Sequence, residues 1–149
     1  MGGRRVKALT IRQPYADAIV HGPKRVENRT RRTHLRGPIL IHAGATTYAA
    51  VGRLAIEEIT GQDPDTTWPG VRGAIIGTAR LTGCHIADGC CRPWGQTNTI
   101  RSEPYTWHWT LADVLALPEP VPAKGALGFW TPPPAVLAAV EQQLAATPA

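Results

Sequence analysis

Residues 9–43 read LTIRQPYADAIVHGPKRVENRTRRTHLRGPILIHA, and the order of patterns in this stretch sets the architecture. The apolar run Val6–Ile11 has the length and content of a strand. Pro14 then suits the first position of a helix, where a missing N–H costs nothing. Tyr15, Ala18 and Ile19 fall on one face of that helix, and Gly22 is placed to end it in the left-handed conformation. Lys24, Arg25, Glu27, Arg29, Arg31, Arg32 and Arg36 follow within thirteen residues, six bases around one acid. Glu27 and Arg29 are two apart, so an extended Arg25–Thr30 points both the same way. Gly37–Pro38 punctuates the chain, and Ile39, Leu40 and Ile41 form a second apolar strand ending at His42.

Outward from that stretch, Thr46–Ile59 reads as a helix with Val51, Leu54, Ala55 and Ile59 on its apolar side. Gly61–Gly70 is a polar loop with two prolines. Gly73–Ile86 is strand-like, and residues 87–104 are loop. Tyr105–Leu111 alternates, with Tyr105, Trp107, Trp109 and Leu111 toward the core and Thr106, His108 and Thr110 toward water. Val121–Lys124 and Leu127–Trp130 read as short strands around Gly125. Pro132–Pro134 opens a last helix whose Leu137, Val140 and Leu144 share a side. The order β-α-β-β-α followed by strands lacks regular βαβ alternation, which disfavours a doubly wound sheet. The expectation is an α+β fold, a small β-barrel flanked by short helices, in one domain over residues 1–149.

Composition bounds the function. The chain has 149 residues and is 43% apolar, so it should fold, and its 29 Gly and Pro residues favour short elements and tight turns. Charge is polarised: residues 1–36 carry ten Lys/Arg against Asp17 and Glu27, a net of +8, and the rest a net of −3. That asymmetry points to a polyanionic partner. No stretch reaches the roughly 20 apolar residues of a membrane span, and the first residues lack the apolar core of a signal sequence. Three cysteines, Cys84, Cys90 and Cys91, do not form a secreted disulfide framework. A cytoplasmic monomer is expected.

Lys24 lies where a helix ends and a strand begins. It could hold a phosphate as a point charge or, desolvated, act as a base or nucleophile. Glu27 could accept from a base amino group or neutralise Arg29. Arg25, Arg31, Arg32 and Arg36 fit phosphate contacts, which supply affinity without sequence reading, and Arg4, Arg5 and Lys7 extend the same charge. Tyr15 could stack on an exposed base. Trp107, Trp109 and Trp130 are read as barrel filling, while Trp68 and Trp94 sit in loops and are candidates for ligand contact. Cys84, His85, Cys90 and Cys91 have soft-ligand identity, but C-H-x4-C-C is not a standard zinc spacing, so no metal and no cofactor are expected. No Ser-His-Asp set, phosphate loop or dinucleotide fingerprint is present.

Four blocks together resemble the activating-signal-cointegrator homology (ASCH) domain family of the PUA-like superfamily. They are Leu9-Thr10-Ile11-Arg12-Gln13-Pro14-Tyr15-Ala16, Gly22-x-Lys24-x-Val26-Glu27-x-Arg29, Arg36-Gly37-Pro38-Ile39-Leu40-Ile41-His42-Ala43 and Gly125-x-Leu127-Gly128-Phe129-Trp130. The resemblance implies a small PUA-like barrel with helices at its rim and a cleft for nucleic acid or a nucleobase. Lys24, Glu27 and Arg29 match the motif lining that cleft, and Tyr15 matches an aromatic at its edge. Some members of the family resemble DNA-binding coactivator domains, others are ribonucleases, and a small branch hydrolyses N4-acetylcytidine with a Lys, a Thr and a Glu. Lys24 matches that lysine, Glu27 stands where that branch has threonine, and the strand near residues 77–82 offers Arg80 and no Glu. The leading expectation is a nucleic-acid-binding module, RNA or DNA, with Tyr15, Lys24, Arg25, Glu27, Arg29, Arg31, Arg32 and Arg36 as its contacts. The alternative is a metal-independent ribonuclease or modified-nucleoside amidohydrolase in the same cleft, with Lys24 and Glu27 catalytic.

Overall fold

A computed structural model describes residues 6–146, leaving out the side chain of Thr47. Arg4 and Arg5 lie outside the described residues. The elements are β1 Lys7–Gln13, α1 Tyr15–Val20, β2 Val26–Arg29, β3 Gly37–Tyr48, α2 Ala50–Thr60, α3 Pro64–Thr67, β4 Ala74–Ile86, β5 Trp107–Pro122, β6 Phe129–Trp130 and α4 Pro134–Ala146. The strands form one mixed sheet in the order β2-β5-β4-β3-β1-β6, with β1 parallel to β3 and the other pairs antiparallel.

The sheet curls into a half-barrel whose two ends meet. From the β2 end, the Arg29 guanidinium donates to the Thr10 carbonyl of β1 at 2.9 Å. Beside it the Trp109 ring of β5 stacks on Phe129 of β6, 5.2 Å between centroids and 12° between planes. Strands β1, β3 and β4 are covered on both faces. Leu9, Ile11, Ile39 and Ile41 pack with Ile19 and Val20 of α1, while Ala8, Leu40 and Ile75 pack with Val140 of α4. Two-sided burial explains why these strands read as continuous apolar runs. Leu137 and Leu144 of α4 join the second cluster, as their spacing implied.

Several expectations give way. Gly22 is not in the left-handed region, and α1 ends at His21 in a right-handed conformation. Glycine is needed there because a Cβ would sit 2.7 Å from the Trp68 ring and 2.8 Å from the Ala18 carbonyl oxygen. The second helix begins at Ala50, later than Thr46, because β3 stays extended as far as Tyr48, which pairs with Gln13. Its inward face is Gly52 and Ile56, and Val51 and Leu54 are 77% and 63% exposed. The Tyr15 ring fixes that rotation, since a Cβ on Gly52 would lie 2.8 Å from Tyr15 Cζ. The Gly61–Gly70 loop contains α3, capped by the Asp63 carboxylate on the Asp65 N–H. Residues 121–122 continue β5, and only Phe129–Trp130 forms a separate strand. In the alternating stretch Trp109 and Leu111 are buried as expected, but Tyr105 is half exposed and His108 fully buried. No helix of the described residues is long and apolar enough to cross a membrane.

Candidate functional site

The basic segment turns the corner from α1 into edge strand β2. The Lys24 N–H donates to the Ala18 carbonyl at 3.0 Å, bending the chain back under α1. This buries the Lys24 side chain to 2% exposure, with its Nζ donating to the Val26 carbonyl and, at 3.2 Å, to Glu27 Oε1. The other carboxylate oxygen accepts from Arg29 Nε at 2.8 Å. Glu27 is thus the hinge of a Lys24–Glu27–Arg29 triad, both oxygens engaged, at 7% exposure. The shared face expected of Glu27 and Arg29 is present. A half-buried Tyr15 ring lies 5.5 Å from Lys24 Nζ, so the ring borders this triad.

Arg25 has a different surrounding from its neighbours. One of its guanidinium nitrogens donates to the Ile19, Gly22 and Lys24 carbonyls, closing the C-terminal end of α1. Arg31, Arg32 and Arg36 are exposed on the loop after β2. Among the described residues no carboxylate pairs with any of the three, whereas Arg53 is shared by Glu57, Asp63 and Asp65. The Arg32 guanidinium lies 5.9 Å from the half-buried Trp107 ring, and that of Arg29 5.7 Å from Trp109. The register sets Glu27 opposite Trp109 and Arg29 opposite Trp107 on one face, so Arg29 reaches Trp109 diagonally across the strand pair. The loop is anchored where Trp109 Nε1 donates to the Arg31 carbonyl at 2.9 Å. Lys7 points elsewhere, donating to Thr131 Oγ1.

Of the loop tryptophans, Trp68 packs on Gly22, and the Trp94 carbonyl accepts from Asn28 of β2. His42 belongs to a directed chain. Trp130 Nε1 donates to Thr10 Oγ1, which donates to His42 Nδ1, and His42 Nε2 donates to the Ala123 carbonyl at 2.7 Å. Burial lowers the His42 pKa below its ordinary value. On the sheet face away from Glu27, His85, Cys90, Cys91 and His108 converge. Sequence spacing missed this group because its fourth member, His108, comes from β5. Burial, then the adjoining Cys90 thiol, pushes the Cys91 thiol up.

The family model of the ASCH domain matches residues 9–120. The chain belongs to the ASCH domain family. The match runs from β1 through most of β5 and so includes every member of the triad. Solved ASCH structures share the fold. The ASCH protein of Zymomonas mobilis aligns with a TM-score of 0.58 at 14% identity, over 95% of this chain and 94% of that one. A tyrosine-to-phenylalanine variant of it aligns with a TM-score of 0.56 at 15% identity, over 93% of this chain and 98% of that one. No curated protein matches this ASCH domain significantly.

Proposed function

We propose that this ASCH domain binds nucleic acid through the face formed by the β2 edge and the loop after it. The supporting observation is the contrast among its arginines. Arg31, Arg32 and Arg36 stand exposed with no carboxylate partner among the described residues, and Arg32 lies over Trp107, while Arg53 elsewhere is saturated with acids. Exposed cations without acid partners, one of them over an aromatic ring, suit a phosphate backbone with bases stacked against it. In this reading Arg31, Arg32 and Arg36 hold phosphates, Arg29 and Tyr15 border the base, and the Lys24–Glu27 pair fixes Arg29.

Fluorescence anisotropy with single- and double-stranded RNA and DNA oligomers tests it. Binding should weaken steeply as salt rises. Affinity that is negligible at low salt, or indifferent to salt, would overturn the reading. A catalytic use of Lys24 requires its Nζ to meet substrate, yet that nitrogen is engaged by Val26 and Glu27 and buried. The geometry therefore favours holding over reacting. Lys24→Ala separates the two: a ribonuclease or amidohydrolase loses turnover with binding kept, and a binder loses affinity alone.

A further inference from the structure

We propose that His85, Cys90, Cys91 and His108 form a structural zinc site that staples the loop at residues 87–106 to the back of the sheet. This stands independently of nucleic-acid binding. His85 of β4 and His108 of β5 are directly paired in the register, so both rings leave the same face of the sheet. The two cysteines reach that face from the start of the loop.

Four of the six donor–donor distances match tetrahedral ligand spacing. His85 Nε2 lies 3.2 Å from Cys90 Sγ, 3.5 Å from Cys91 Sγ and 3.3 Å from His108 Nδ1, and Cys90 Sγ lies 3.4 Å from His108 Nδ1. All four donor atoms fall within 4.8 Å of one another. Zinc bonds of about 2.3 Å to sulfur and about 2.0 Å to nitrogen place tetrahedral ligands roughly 3.3–3.8 Å apart. Neighbouring cysteines on an extended chain point to opposite sides. Here Cys91 adopts φ 62°, a left-handed turn uncommon outside glycine, and both thiols face one point.

The ring of His108 is already set for a metal. Its Nε2 lies 2.7 Å from the Gln96 carbonyl and must carry the proton, which leaves Nδ1 bare and aimed into the cluster. A backbone acceptor on the far nitrogen is the usual orienting partner of a ligating histidine. The loop closes tightly over the ring, where a Cβ on Gly95 would come within 2.7 Å of His108 Cε1. Four protein donors leave no open position, as in structural zinc sites. The same loop holds β2 from behind: Asn28 donates to the Trp94 carbonyl at 3.0 Å and accepts from the Gln96 N–H at 2.9 Å.

The protein purified from zinc-supplemented culture should carry about one zinc per chain by elemental analysis. Cobalt exchanged into it should give the visible bands of tetrahedral coordination with thiolate charge transfer. His85→Gln and Cys91→Ser, both on incompletely buried residues, should each weaken cobalt binding by more than about 100-fold. Cys84→Ser should not, because Cys84 Sγ instead accepts from the Thr33 N–H. Chelation should speed trypsin cleavage after the exposed Arg101 while the strands stay folded by circular dichroism. Wild-type protein that is folded yet retains no zinc would overturn the proposal. So would cobalt bands that persist in both ligand variants.

Discussion

At the scale of single residues, Glu27 is the critical side chain. It is the one acid in the basic segment, and it neutralises a lysine that is 2% exposed. Removing it leaves Lys24 buried and unpaired, so Glu27→Ala should cost about 3 kcal/mol in urea unfolding. The double variant Lys24→Met, Glu27→Leu should lose less than the two single changes added together, because it removes both charges at once. A second residue-scale expectation concerns pH. Burial holds the His42 pKa below the ordinary 6.5. Above that pH the ring is neutral folded or unfolded and costs nothing. Below it the unfolded chain takes up the proton first, so stability falls with pH until the folded-state value is reached. His42→Gln should flatten that part of a stability–pH profile relative to wild type. A profile unchanged by the substitution would count against this origin. The shared direction of Glu27 and Arg29 was legible from their spacing alone. The burial of Lys24 was not, because it depends on how tightly α1 folds back onto β2.

At the scale of elements, local pattern carried the strands covered on both faces, which announce themselves as apolar runs. It failed where a distant partner sets the outcome. Gly22 sits where a left-handed cap is common, yet its role is to admit Trp68, a residue 46 positions later. Gly22→Ala should therefore cost about 1–3 kcal/mol through overpacking, measured by denaturant midpoint. Trp68→Ala, by opening the space, should relieve part of that cost. Strand β5 was read as two short pieces, Tyr105–Leu111 and Val121–Lys124. In the structure it is one strand, and β2 pairs only with Trp107–Thr110, so among the described residues no strand runs along the other edge of its C-terminal half. Gln143 of α4 bridges the Glu119 N–H and carbonyl there, and Pro118, Pro120 and Pro122 are tolerated. The zinc-ligand arrangement was illegible for a related reason. Its histidines meet through cross-strand register, which spacing along the chain does not contain.

At the scale of the whole molecule, part of the polarised charge seen in the sequence lies on β2 and the loop after it, where Arg29 faces Trp109 and Arg32 faces Trp107. Replacing Arg31, Arg32 and Arg36 together with alanine should lower the slope of log affinity against log salt by about 2 for single strands. Stability should change by less than about 1 kcal/mol, because none of the three is paired to an acid among the described residues and the bonds of Arg36 to the Thr33 and Leu35 carbonyls are exposed. Arg29 differs. Its guanidinium bridges to the Thr10 carbonyl where the sheet's two ends meet, so Arg29→Ala should lower both affinity and thermal midpoint. Comparing that variant with the triple variant separates grip from closure.

The pairing of β6 with β1 ties the last strand of the described residues to the first. During synthesis, one edge of β1 has no strand beside it until residues 129–130 emerge, although its parallel partner β3 is available much earlier. An open apolar edge is a template for association between chains. Ribosomes stalled before residue 129 should accordingly hold nascent chains that recruit chaperones, and the requirement should lapse once Phe129 and Trp130 can dock.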